Sequence, residues 1–165
     1  MIKKKEIGIF SGSFNPIHNG HLIMANYMCE FTTLDEVWLI VTPHNPLKSR
    51  HEMLDEQVRL KMVELAVDKY DNIKASDIEL HMNRPSFTIN TLEKLSYEYP
   101  DYIFSLIIGA DNWTYFDNWK EYNKIMDNYK ILIYPRQRAE VVVPESLIET
   151  VKQINAPIVE ISSTF

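Results

Sequence analysis

His18 and His21 stand three residues apart in the run Gly12-Ser-Phe-Asn-Pro-Ile-His-Asn-Gly-His-Leu22. An apolar segment, Ile7-Gly-Ile-Phe10, precedes this run, and an amphipathic stretch begins at Leu22. A strand that turns through a glycine-containing loop into a helix leaves backbone N–H groups converging on one point, where an anion such as phosphate is favoured. Two imidazoles beside that point add side-chain donors, and the combination is the layout of a nucleotide phosphate site. Taken singly, either histidine reads as a surface or capping residue. As metal ligands the pair lacks a nearby Cys and lacks a His-Glu-x-x-His pattern. The joint pattern Gly-x-Phe-x-Pro-x-His-x-Gly-His is much rarer than any of its parts.

Five further segments carry chemistry-capable residues. Lys48 closes Pro43-His-Asn-Pro-Leu-Lys48, with Arg50 behind it. This is either a solvated basic patch or a loop that folds over the first turn and meets the same phosphates as His18 and His21. In Leu106-Ile-Ile-Gly-Ala-Asp111, Gly109 allows a ligand close approach, while Asp111 either caps a helix or takes ribose hydroxyls. Trp119, in Phe116-Asp-Asn-Trp-Lys120, packs in the core or stacks on a flat heteroaromatic ring. Ser86 or Thr88, in Arg84-Pro-Ser-Phe-Thr88, is expected to cap the helix that follows. Ile161-Ser-Ser-Thr164 ends a strand candidate with three hydroxyl residues, a cluster suited to capping or to phosphate.

These segments must be positioned by a regular frame. Strands are expected at Glu6–Phe10, Val37–Thr42, part of Ile73–Leu80, Tyr102–Ile108, Lys130–Tyr134 and Pro157–Ile161. Helical spacing appears at Leu22, Ala25 and Cys29, and at Val58, Met62, Leu65 and Ala66. It returns at Ile89, Leu92 and Leu95, and at Leu147, Val151 and Ile154. Trp38-Leu-Ile-Val41 and Leu106-Ile-Ile108 are apolar on consecutive residues, as expected when helices cover both faces of a parallel sheet. The alternation predicts an α/β, Rossmann-like doubly wound sheet, mainly parallel, with about five or six strands and helices on both faces. Ligands are then expected beyond the carboxyl ends of the strands. The loop Pro43–Leu54 lies at such an end, where long loops are usually functional.

At 165 residues, without repeats or linkers, the chain reads as one domain spanning 1–165. A net charge of −6 argues against a nucleic-acid binder, which would carry a basic stripe. The single cysteine, Cys29, excludes an internal disulfide and fits a reducing compartment; its neighbours Leu22, Ala25 and Met28 place it on a buried helix face. Lys3-Lys-Lys5 resembles the start of a signal peptide, but the apolar run behind it is too short, and no segment reaches spanning length. A cytoplasmic protein with no membrane partner is expected.

In this order and spacing, the motifs resemble those of bacterial nicotinate-nucleotide adenylyltransferases, within the nucleotidylyltransferase superfamily marked by His-x-Gly-His. The matching segments are Gly12 to His21, Pro43 to Lys48, Ser86-Phe-Thr-Ile-Asn-Thr-Leu92, Ile108 to Asp111, Trp119 and Ser162-Ser-Thr164. The resemblance implies adenylyl transfer from ATP, carried with Mg²⁺, to nicotinate mononucleotide, a step in NAD biosynthesis that yields deamido-NAD and pyrophosphate. By that analogy His18, His21 and Lys48 are catalytic. Gly12, Ser13, Phe14, Asn15, Ser162, Ser163 and Thr164 bind ATP. Thr88, Gly109, Asp111, Trp119 and Lys120 bind the nicotinate nucleotide, and no protein-bound metal is implied. Transfer to another phosphorylated acceptor, such as phosphopantetheine or glycerol phosphate, is the enzymatic alternative; a non-catalytic nucleotide-binding protein is the other. Asn15 departs from the family's usual Asp but keeps its turn-forming and hydrogen-bonding ability. Phe165 stands where the family continues with Ile-Arg and a further helix, so the expected domain lacks that tail, and weaker ATP binding is expected with it.

Overall fold

The computed structural model describes residues 3–44 and 53–158. Six strands form one sheet in the order β3-β2-β1-β4-β5-β6, and every neighbouring pair is parallel. The chain runs β1 (Lys5–Gly12), α1 (Asn19–Phe31), β2 (Glu36–Val41), α2 (Glu56–Val67) and β3 (Ile73–Ser76) through the first half. A 3₁₀ turn (Ile78–His81) leads to α3 (Thr88–Glu98), β4 (Tyr102–Gly109), the short α4 (Ala110–Thr114) and a second 3₁₀ turn (Phe116–Asn118). Then follow α5 (Tyr122–Asn128), β5 (Lys130–Tyr134), a third 3₁₀ turn (Glu145–Leu147) and β6 (Val151–Gln153). This is the doubly wound order, with its topological switch between β1 and β4.

The two faces of the sheet explain the unbroken apolar runs. Along β2, Trp38 and Ile40 join one core with Ile7 and Ile9 of β1, Leu106 and Ile108 of β4, and the α3 stripe Ile89, Leu92 and Leu95. Val37, Leu39 and Val41 face the opposite core, with Phe10, Met24, Ala25 and Met28 of α1 and Val63 and Val67 of α2. Successive side chains of a strand point to opposite faces, so a strand buried on both needs apolar residues at every position.

Three expectations are corrected. Leu147, Val151 and Ile154 do not lie on a helix: Val151–Gln153 is the sixth strand, paired with β5 through Ile131↔Val151 and its neighbours. Pro157 and Ile158 are not in a strand, and residues 159–161 lie outside the described residues. The helix containing Val58, Met62, Leu65 and Ala66 exists, but it buries Arg59, Val63 and Val67, leaving Val58 and Leu65 exposed. Cys29 is partly buried on α1; its Sγ donates to the Asn72 carbonyl at 3.5 Å, and burial pushes its pKa up to about 11. Such a thiol is not a nucleophile at neutral pH. Among the described residues no helix is long and apolar enough to cross a membrane.

Candidate active site

α1 begins at Asn19 because His18 is built as its N-cap. His18 is extended (φ −142°, ψ 175°), and its Nδ1 accepts the Gly20 N–H at 3.1 Å. The favour is returned from the third helical residue: His21 Nδ1 accepts the His18 N–H at 3.1 Å. This is the reciprocal logic of a capping box, made with two imidazoles instead of Ser and Glu. With both Nδ1 atoms used as acceptors, the neutral rings carry their protons on Nε2. The rings stack at 3.8 Å between centroids with planes 18° apart. The pair therefore offers two N–H donors at the head of the helix that follows β1, one of the two strands at the switch point.

Electrostatics keep those donors neutral. Burial lowers the His21 pKa to about 4, with His18 and Arg136 lowering it further, and burial then Arg136 lower that of His18. Protonating His21 would also place a proton on the Nδ1 that accepts from His18. Between its folded value near 4 and the ordinary 6.5, the unfolded chain holds more protons than the folded one, so this residue makes stability fall as pH drops through that window. A triphosphate works in the opposite direction, favouring imidazolium. In ¹⁵N NMR the free protein is expected to show both rings as neutral Nε2–H tautomers at pH 7, and bound ATP to raise both pKa values. Identical histidine titrations with and without ATP would refute the second expectation.

The turn between β1 and α1 is held from behind by aromatic rings. Phe14 sits in the left-handed region at φ 45° and is 2% exposed. Its ring meets His21 edge-on at 5.0 Å and Phe10 at 5.9 Å. Asn15 Oδ1 accepts the Leu54 N–H at 2.9 Å, a bond that Asn and Asp supply equally. The Asn-for-Asp departure thus preserves this anchor.

Across the switch point, β4 ends at Gly109. A Cβ there would lie 2.5 Å from Asp111 Oδ1 and 3.0 Å from the Tyr134 ring, so a larger residue would displace the Asp111 carboxylate and press on Tyr134. Asp111 does not cap α4, whose N-cap is Gly109 without a side-chain bond; its carboxylate instead lies 3.9 Å from Arg136 Nε. Neither Ser86 nor Thr88 caps α3 either. The cap position is Phe87, Thr88 is the first helical residue, and Ser86 Oγ donates to Glu79 Oε1 at 3.0 Å. Trp119 packs its half-buried ring on Phe116 at 5.0 Å, and Lys120 Nζ lies 4.5 Å from the Phe87 ring centroid. The Trp119–Lys120 turn is thereby brought against the start of α3.

Two residues that the sequence did not single out tie this together. Glu79 is buried and accepts from Thr91 Oγ1 at 3.0 Å, from Ser86, and from Ser11 Oγ at 3.5 Å, so one carboxylate joins the end of β1 to the start of α3. Burial raises its pKa against the lowering effect of those three donors. Arg136 follows β5 directly after Tyr134-Pro135, at the carboxyl end where the fold rule expects ligands. Lys48 and Ser162, Ser163 and Thr164 lie outside the described residues. Among those described, no group of three or more His, Cys, Asp or Glu is arranged to hold a metal ion.

Comparison with known proteins gives the family. A family model described as cytidylyltransferase-like matches residues 9–164. A Bacteroides fragilis protein named "probable nicotinate-nucleotide adenylyltransferase" is 52% identical over 162 residues, 98% of this chain and 80% of that protein. A Flavobacterium johnsoniae protein of the same name is 49% identical over 97% of this chain and 83% of its own length. In fold, the chain superposes with a TM-score of 0.78 on the Plasmodium falciparum nicotinic acid mononucleotide adenylyltransferase complexed with NaAD, at 23% identity over 96% of this chain and 80% of that one.

Proposed function

Because the chain belongs to the nicotinate-nucleotide adenylyltransferase branch of the cytidylyltransferase-like family, we propose that the site at its β1–β4 switch point joins ATP to nicotinate mononucleotide. The protein is an enzyme of NAD biosynthesis, a nucleotidyltransferase whose substrates are ATP and nicotinate mononucleotide. An oxygen of the mononucleotide phosphate attacks the α-phosphorus of ATP. The new P–O bond forms as the bond to the bridging oxygen of the β-phosphate breaks, and pyrophosphate leaves with that oxygen. The attacking phosphate is already ionised at neutral pH, so no protein nucleophile or general base is required.

What remains for the protein is positioning and charge stabilisation. The observation that carries this reading is the stacked, neutral His18–His21 pair at the head of α1, on the chain leaving β1, whose neighbour β4 ends at Gly109. Its Nε2–H groups are assigned to the ATP phosphates, lined by Gly12 to Asn15. Lys48 neutralises charge at the α-phosphate, and Ser162 to Thr164 close over the nucleotide. Each charge-assisted bond of this kind is worth about 1.5–3 kcal/mol. Asp111 takes ribose hydroxyls beside Gly109, Trp119 stacks on the nicotinate ring, and Thr88 with the Trp119–Lys120 turn receives the ring carboxylate. Arg136 is added to this set by its place beside Asp111 and the histidines. Mg²⁺ enters as the Mg·ATP substrate and shields its β- and γ-phosphates. One domain carries the whole reaction, in the cytoplasm, a setting that suits the lone Cys29.

The test is pyrophosphate release with Mg·ATP and either nicotinate or nicotinamide mononucleotide. Turnover favouring nicotinate supports the assignment; preference for nicotinamide, or for neither, overturns the acceptor. In the same assay Trp119→Ala is expected to raise KM for the mononucleotide by about tenfold or more, the loss of one ring-on-ring stack, with KM for ATP changed little. Equal effects on both substrates would remove Trp119 from the acceptor site.

A further inference from the structure

Arg59 is a cation in the core of α2, with none of its side chain exposed. It makes no contact with a carboxylate in the hydrogen bonds it forms. Nη1 donates to the Ser13 carbonyl at 2.6 Å and to the Thr42 carbonyl at 2.9 Å, and Nε donates to the Leu54 carbonyl at 3.0 Å. One guanidinium thus gathers the turn after β1, the end of β2 and the approach to α2. The nearest acids are occupied elsewhere. Asp55 accepts from Gln57 N–H as the cap of α2, and Glu56 is held by both Nη atoms of Arg84 at 2.6 and 2.5 Å. Nη2 of Arg59 is buried with no hydrogen-bond partner among the described residues.

A buried positive charge whose hydrogen bonds go only to carbonyls is expensive to the fold; Glu56 and Asp55 offset it through space without bonding to it, and burial remains the larger effect. The Ser13 contact shows which backbone unit this charge acts on. The peptide joining Ser13 to Phe14 is planar and trans, so its carbonyl and its N–H point in opposite directions. With the carbonyl fixed on Arg59, the Phe14 N–H is fixed on the far side of the turn. The guanidinium also polarises that peptide, strengthening the N–H as a donor. The left-handed φ of Phe14 and the burial of its ring lock the same unit from the other end.

We propose that Arg59 is a positioning residue for ATP: through the Ser13 carbonyl it aims and polarises the Phe14 N–H as a phosphate donor, and its buried guanidinium lies behind that donor. The inference rests on the assignment of the Gly12–Asn15 turn to the ATP phosphates. It predicts an effect confined to one substrate.

The experiment is calorimetric titration of Mg·ATP into the unmodified chain and into Arg59→Lys, with thermal melts of both and KM for each substrate. An ammonium keeps the charge but cannot span three carbonyls. Arg59→Lys is expected to bind Mg·ATP about tenfold or more weakly, with KM for the mononucleotide within about twofold. Unchanged ATP affinity, or equal loss for both substrates, overturns the proposal. A second measurement needs no variant: in the unmodified chain the Phe14 amide proton is expected to move downfield when Mg·ATP binds, and a stationary resonance overturns the proposal even where Arg59→Lys does not fold. Turnover of the unmodified chain with nicotinate mononucleotide is read separately, so an error in the acceptor leaves the ATP result standing on its own.

Discussion

His18→Ala is expected to lower kcat/KM by about a thousandfold, the largest effect on activity of any single substitution in this site. Removing one preorganised donor to developing negative charge costs about 10²–10³ in rate. Alanine also removes the N-cap acceptor of α1, which costs about 1 kcal/mol of stability. The two losses separate in His18→Asn. Asparagine is among the best N-cap residues, so its Oδ1 can take the Gly20 N–H that His18 Nδ1 now accepts. Its side chain is too short to place a donor where Nε2–H stands. His18→Asn is therefore expected to melt within about 2 °C of the parent, since about 1 kcal/mol corresponds to about 2–4 °C in a chain of this size, yet to keep the deficit in kcat/KM. Recovery of activity together with stability would reduce His18 to a helix cap.

Phe14→Ala should be the most destabilising change at the site. The ring is 2% exposed and wedged between Phe10 and His21, and deleting a buried Phe costs about 3–5 kcal/mol. At about 2–4 °C per kcal/mol this lowers Tm by roughly 6–20 °C. A second comparison tests the backbone. At φ 45° an alanine carries a left-handed penalty of about 1–2 kcal/mol that glycine escapes. Glycine's greater unfolded-state freedom returns roughly 0.4–1 kcal/mol of that. Phe14→Gly is accordingly expected to melt at or above Phe14→Ala, although it removes more atoms. A melt for Phe14→Ala close to the parent's would show that the ring does not hold the turn.

Much of this frame was legible from residue types. β1, β2, β4 and β5 show as consecutive apolar runs because both faces of the sheet are covered, and Ile89, Leu92 and Leu95 mark α3 because that stripe is the buried one. β6 was illegible for a tertiary reason. Leu147, Val151 and Ile154 have helical spacing, but the open edge of β5 supplies backbone partners: the Ile131 N–H donates to the Thr150 carbonyl, and the Ile133 carbonyl accepts from the Ile154 N–H. Edge pairing of this kind overrides local pattern. The face of α2 was misread because no hydropathy rule turns an arginine inward; Arg59 does so because the Ser13 and Thr42 carbonyls, from the ends of other strands, converge on it with the nearby Leu54 carbonyl.

At the site itself, the histidine pair, Gly109 and Asp111 were found by motif; the histidines head the helix that follows β1, and Gly109 and Asp111 stand where the neighbouring β4 passes into α4. The expected caps at Ser86, Thr88 and Asp111 were not formed, since Glu79 takes the Ser86 hydroxyl and Arg136 lies beside the Asp111 carboxylate. Glu79 lies on the preceding 3₁₀ turn and Arg136 beyond the next strand, so the chemistry of a helix's own first turn reveals neither. Arg136 had one available signal, its place just past a central strand.

The pairing of β1 with β4 joins Lys5 to Tyr102 across nearly the whole of the intervening chain. Every residue pair that spans the switch point is therefore a long-range contact, formed only after loop closure has been met. No amino-terminal fragment emerging during synthesis contains the site: the histidine turn is made early, but Gly109 and Arg136 arrive long after it. The nucleotide pocket is among the last things to exist on the folding route. A ligand that binds there acts on the completed sheet alone, and ATP in the surrounding solution shifts the balance between finished and unfinished chains by mass action.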